Sequence, residues 1–283
     1  MTQDCCPMMA MVFDVVRRAR TVAVRGRLNV DFVHVFMRAL REVEKEGYES
    51  AELDFSGCDS AYPDGSTPLA AIVDAARTRG LRFELRLPND HRIANLFVRT
   101  NLAHYVQPET FPLHTSYVPK HVPIRRFETL EDQVAVVSEL MEVLLKTIAL
   151  PRDVFQGLEW SINEIMDNVL NHAQAPRGGF VQATTTEDRV SFTVADAGIG
   201  ILKSLREGYP ALVSDGEAIG EAIKAGVTRN PEAGQGNGLA GSLNIATQTG
   251  GSLTIMSGRG MLLVHHDDEG VKSVRRVLAE DQA

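Results

Sequence analysis

The chain of 283 residues has no apolar run near the roughly 20 residues that a membrane-spanning helix needs. It has three cysteines, Cys5 and Cys6 side by side and Cys58 alone, which excludes a disulfide framework and a zinc set of ordinary spacing. Positive charge is also scarce, with 29 Lys and Arg against 37 Asp and Glu and a formal net charge of -8. Affinity for nucleic acid rests on neutralising phosphates with basic side chains, so no nucleic-acid partner is expected. The opening "MTQDCCPMMAMVFDVVRRAR" carries an acid where a secretory leader needs basic residues, and its short apolar part runs into a basic cluster. A cytoplasmic protein with no membrane partner is expected. No internal repeat and no low-complexity segment is present. The hydrophobic share of 44% and charged share of 23% are those of a globular protein. The length exceeds the usual single domain of about 100 to 200 residues and predicts two domains.

The two halves are organised differently. From Thr21 to about His104 strand-like segments alternate with helical ones: "TVAVRGRL", "DFVHVFMRALREVEKEG", "SAELDFS", "PLAAIVDAARTRG", "LRFELRL" and "HRIANLFVRT". This βαβαβα order predicts helices packed on a largely parallel sheet. Thr67 and Pro68 read as the start of the second helix, a hydroxyl N-cap followed by proline at the first helical position. Residues 107–122 carry three prolines and little periodicity, which sets domains at 1–110 and 123–283 with a linker at 111–122. Beyond it come a strand ("PIRRFE"), an amphipathic helix from Leu130 to Ile148, and a helix holding "NEIMDNVLNH" at 163–172.

That last helix is chemically odd. Glu164, Asn168, Asn171 and His172 fall on one stripe at helical spacing, with Ile162, Ile165, Met166 and Val169 opposite. A solvated face is the plain reading. Such a face favours long charged side chains, however, whereas Asn is a poor helix former that competes with the backbone. A hard cation gives repeated Asn a purpose, since an amide oxygen ligates magnesium without adding negative charge beside a phosphate, and a glutamate one turn away can take a proton from water.

Two glycine-rich signals follow. Val190, Phe192 and Val194 alternate along a half-buried strand that runs into Asp196, Ala197, Gly198, Ile199, Gly200. Glycines let the backbone pass close to a ligand, and an aspartate there can accept from the exocyclic amine of adenine while opposing the carbonyl of guanine. A strand exit with an Asx turn fits the same residues. In "EAGQGNGLAGSLNIATQTGG", Gly234, Gly236 and Gly238 alternate before a helix from about Leu239 to Gln248. Free backbone amides at a helix start make an anion site, and a flexible loop with a glycine N-cap is the alternative. Some 30 residues between the signals, with Gly208, Pro210, Gly216, Gly226 and Pro231, read as a mobile lid.

In this order and spacing the three signals resemble the GHKL ATPase superfamily of histidine kinase catalytic domains, anti-sigma-factor serine kinases, gyrase B, Hsp90 and MutL, over roughly Phe127 to Ser257. The resemblance implies a Bergerat α/β sandwich that binds ATP and magnesium. By it Asn168 is the metal ligand, Glu164 the catalytic base or water-orienting acid, and Asn171 a phosphate contact. Asp196, with Gly198 and Gly200, reads adenine. Gly234, Gly236, Asn237, Gly238 and Leu239 form the phosphate loop, and Thr228 and Arg229 reach the terminal phosphate. Two features depart from the family. The late strand that opens on Gly-Thr has Gly260 followed by Met261, so it is divergent or missing, and the helix from Leu130 to Ile148 has no phosphoacceptor histidine.

The first half resembles the STAS fold of anti-sigma-factor antagonists, through "VAVRGRLN", "ELDFSGC" and "DGSTPLAAIVDAARTRG". Asp64 matches that motif's acid, but Gly65 stands at the phosphoacceptor position with Ser66 and Thr67 after it. The whole then reads as an α/β (α+β) protein, a STAS-like domain fused to a GHKL domain. The expected function is an ATP-binding switch with slow hydrolysis that signals to a protein partner, to its own STAS half, or as a homodimer. The alternatives are a serine or threonine kinase acting on a STAS partner, and a non-catalytic interaction module.

Overall fold

Val22, Val24 and Leu28 alternate along β2 (Thr21–Leu28), as Ala51, Leu53 and Phe55 do along β3 (Ser50–Ala61), and all are buried. Period-two burial turns one face of the sheet toward its helices. The computed structural model, which describes residues 14–115, 118–227, 238–267 and 270–278, divides into two compact units, Met1–Thr115 and Ser116–Ala283. Among the described residues no helix is long and apolar enough to cross a membrane.

In the first unit the strand order is β1-β2-β3-β4, with β1 (Asp14–Arg18) antiparallel to β2 and the pairs β2–β3 and β3–β4 (Arg82–Arg86) parallel. Parallel neighbours require crossovers, and α1 (Val30–Lys45) and α2 (Pro63–Thr78) supply them. The outward positions of the strands are polar. Thr21 donates to Glu52 at 2.9 Å, Arg20 meets Glu84 at 2.9 Å, and Arg86 lies 3.6 Å from Asp54. Beyond the sheet come α3 (His91–Arg99), N-capped by Asp90, and α4 (Leu102–Val106). Residues 107–114 are held to this unit: Gln107 accepts from Leu85 N–H, while Asn101 exchanges two hydrogen bonds with the backbone of His114.

Helix α2 begins five residues before the expected start, with Tyr62 and Pro63 in place of Thr67 and Pro68, because Pro63 takes the first helical position, where a missing N–H costs nothing. Ser66 and Thr67 are buried inside the helix rather than capping it, and the Ser66 hydroxyl donates to the Tyr62 carbonyl at 2.6 Å. Gly65 is pressed against the end of β2, where a methyl group would stand 2.5 Å from the Leu28 carbonyl and 2.6 Å from Asn29 N. Burial raises the Asp64 carboxyl above its ordinary pKa, and the Val30 N–H opposes that shift. Burial likewise pushes the Cys58 thiol up to about 11, leaving it an unreactive core residue.

The second unit has two antiparallel three-stranded sheets. In the first, β5 (His121–Phe127), β6 (Gly179–Thr185) and β7 (Val190–Asp196) lie in chain order. Helix α5 (Leu130–Thr147) starts at a capping box between Thr129 and Asp132, and α6 (Arg152–Asn168) follows it. Val136, Leu140 and Leu144 of α5 and Ile162 and Met166 of α6 share a core with Phe127 and Val181. The other sheet is the meander β8 (Ser252–Ser257), β9 (Gly260–Asp267) and β10 (Gly270–Val277). It packs against α7 (Gly200–Leu205), α8 (Asp215–Ala222) and α9 (Gly238–Gln248) through Ile201, Ile219, Leu243, Leu262 and Val264.

Residues 201–227, expected within a mobile lid, therefore hold two packed helices. Leu205, Ala218, Ile219 and Ala222 are buried there, although the glycines and proline between them mask the apolar pattern. The late strand after α9 is present as β9. It opens on Gly260, and the buried Met261 pairs with Met256.

Candidate functional site

Two helices that approach closely need small residues where they meet. Gly157, Trp160, Glu164 and Asn168 run along one side of α6, and Gly238, Gly241 and Ile245 run along α9. A methyl group on Gly157 would lie 3.1 Å from Ile245 Cγ2, and one on Gly241 would overlap the Trp160 ring. At the far end of the seam, a methyl on Gly238 would stand 2.7 Å from Glu164 Oε2 and 3.5 Å from Asn168 Nδ2. The first turn of α9, with Gly238 and Leu239, is thereby set over the acid and the amide that share a face of α6.

Glu164 and Asn168 are half-buried. Desolvation raises the Glu164 carboxyl above the ordinary range, and the nearby charge of Asp167 raises it further. A carboxylate with a raised pKa is better matched to proton transfer near neutrality than a free one. Among the described residues no group of three or more His, Cys, Asp or Glu could hold a metal ion. A magnesium ion here would therefore rest on Asn168 and on the oxygens of a phosphorylated ligand, which fits its habit of few protein ligands.

The stripe expected on this helix is broken after Asn168. Residues Val169–Ala173 form a π turn, so Asn171 and His172 do not continue the α-helical face. Asn171 is exposed there. The π turn has a second effect that periodicity could not have revealed: it carries the Ala173 carbonyl to the Asp196 turn, where Ile199 N–H donates to it at 2.8 Å. A methyl group on Gly198 would overlap that same carbonyl oxygen, so the close approach requires glycine.

Asp196 ends β7, and its Oδ1 accepts from Gly198 N–H at 2.8 Å. This is the Asx turn that the sequence allowed, and it leaves Oδ2 for another donor. The residue is open to solvent, yet desolvation raises its pKa and the Gly198 N–H only partly offsets that. Gly200 follows with φ +78°, a conformation suited to glycine. Ile201 N–H then donates to the Ser257 hydroxyl at 2.9 Å. Sequence reasoning missed Ser257, which lies 56 residues away and carries no motif. Thr228, Arg229, Gly234, Gly236 and Asn237 lie outside the described residues.

Residues 155–274 match the family model of histidine kinase-, DNA gyrase B- and HSP90-like ATPases. That span contains α6 from Phe155 onward, the Asp196 turn, α9 and Ser257. No curated protein and no solved structure matches the chain. The match supports an ATP-binding domain of the GHKL type in the second unit, and it does not extend to the first.

Proposed function

We propose that the second unit binds ATP with magnesium and hydrolyses it slowly, as the nucleotide-dependent half of a regulatory switch. The observation that carries this reading is the seating of Gly238 against both Glu164 and Asn168, which brings an acid, an amide and a helix start to one place. Asn168 holds magnesium through its amide oxygen, and the ion supplies charge neutralisation at the phosphates. The amides at the start of α9 face the phosphates, where the helix dipole favours negative charge. Glu164 in its ionised form takes a proton from the attacking water. Asp196 Oδ2 accepts from the exocyclic amine of adenine while Oδ1 stays on Gly198.

The first unit is read as STAS-like, on the support of its β1-β2-β3-β4 order with parallel β2, β3 and β4 and on the place of Asp64 at the start of α2. Phosphorylation at the family's position is not part of the proposal. Gly65 has no hydroxyl, and Ser66 and Thr67 are buried. The switch is taken to act in the cytoplasm on a protein partner, as its acidic charge suits neither nucleic acid nor an anionic membrane.

The test is calorimetric titration of magnesium-ATP, with phosphate release, on wild type, Asn168→Ala and Glu164→Ala. Wild type is expected to bind and turn over. Asn168→Ala is expected to lose binding, and Glu164→Ala to bind without turnover. Absence of adenine nucleotide binding by the wild type would overturn the reading. Label transferred to protein instead of water would move it to a kinase.

A further inference from the structure

The turn after Asp196 is fastened amide by amide. Gly198 N–H goes to the Asp196 side chain, Ile199 N–H to the Ala173 carbonyl, and Ile201 N–H to the Ser257 hydroxyl. The first bond is local, and the second comes from the π turn beside Asn168. The third crosses from the other sheet, because Ser257 is the last residue of β8 and pairs with Gly260 at the start of β9. Helix α7 has no cap of its own: the preceding residue is Ile199, whose side chain cannot accept a hydrogen bond. The Ser257 oxygen is the cap, supplied by tertiary structure. It also stands 3.1 Å from where a side chain at Gly200 would begin, so it backs the one residue of the turn with positive φ. The side chain of Met261, the next residue of β9, has no oxygen with which to share this task.

We propose that Ser257 is a positioning residue for base selection, holding the Asp196–Gly200 turn so that the Asp196 carboxylate meets an adenine and rejects a guanine. The inference rests on the nucleotide reading of the second unit. Ser257 touches the turn and not the nucleotide. Its loss should therefore fall on the base-dependent share of affinity and spare the phosphate-dependent share.

The experiment titrates the full chain, as wild type, Ser257→Ala and Ser257→Thr, with magnesium-ATP, magnesium-GTP and magnesium-tripolyphosphate. Removing a single part-buried acceptor is expected to weaken ATP about 5- to 10-fold. The preference for ATP over GTP should shrink by a similar factor, with tripolyphosphate unchanged. Ser257→Thr, which restores the oxygen and suits a strand, should recover wild-type behaviour. Should the alanine variant not fold, Ser257→Cys keeps the shape with a weaker acceptor and serves the same comparison. The proposal is overturned if Ser257→Ala binds ATP as wild type does, if it loses ATP and tripolyphosphate equally, or if threonine fails to rescue. A wild type that binds no ATP would sink the nucleotide reading itself, an outcome distinct from these.

Discussion

The first unit and the α6–α9 seam of the second are held together by different means. In the first unit α2 buries ten of its residues, and the large fully buried side chains Phe32, Phe36, Phe55, Phe97, Leu53 and Leu69 fill the space under the sheet. Along the seam none of Gly157, Trp160, Glu164 and Asn168 of α6 is fully buried, and α9 buries only Ser242. There the contact depends on glycines that admit Trp160, Ile245 and Glu164. A scaffold stabilised by apolar burial tolerates small shifts poorly but resists opening. A seam with little buried surface opens at low cost and gains most from a ligand. The candidate site lies on the weaker of the two arrangements, as binding elements commonly do.

Breaking the backbone contact at the site should give the largest effect. In Gly198→Ala the new methyl meets the Ala173 carbonyl, and neither backbone segment can yield cheaply. ATP affinity is expected to fall by about 100-fold or more, the scale of a misplacement at a binding constellation, while the far-ultraviolet spectrum of the chain is kept. Titration calorimetry checks the first and circular dichroism the second. The matching change in the other region is Gly65→Ala, which drives a methyl into the Leu28 carbonyl. It should destabilise the first unit by about 1–3 kcal/mol through overpacking, read by denaturant unfolding, and leave ATP affinity unchanged. Loss of ATP binding in Gly65→Ala would erase the contrast between the regions.

A smaller effect is expected from pH. The Asp196 pKa is raised, so as pH falls its carboxylate is protonated earlier than an ordinary aspartate and would lose the proposed bond from the adenine amine. ATP affinity should therefore decline on acidification above the usual aspartate range. In Asp196→Asn affinity should be low throughout, with that step missing. Titrations over a pH series decide this. The mildest expected signal comes from Trp160, the single tryptophan of the chain, which lies against Gly241 of α9. Magnesium-ATP should change its fluorescence by drawing α9 toward the phosphates. An unchanged spectrum at saturating ATP would mean that the seam does not move.

Much of this could be read from the residues alone. Alternation gave β2 and β3, and the amphipathic pattern from Leu130 to Ile148 gave α5, which spans Leu130–Thr147. Glu164, Asn168 and Gly238 were named from their chemistry, and the structure brings these three together. What sequence could not supply was tertiary in origin. The start of α2 was misplaced because Pro63 follows Tyr62, which has no capping side chain, while Thr67–Pro68 offers the stronger local signal. The packing of α7 and α8 was hidden by the glycines around them. The Ser257 bond joins residues too distant in the chain for any local pattern to announce it.

The π turn at Val169–Ala173 amounts to a surplus of chain stored between Asn168 and Ala173. Because Ala173 must reach Ile199 while Asn168 stays on the α6 face, the stored length acts as a measured spacer. Deleting one residue here would remove the surplus and draw the following backbone back toward Asn168, taking the Ala173 carbonyl off its partner. This segment should accept changes of side chain far more readily than changes of length, so that insertions and deletions, not substitutions, are what it forbids.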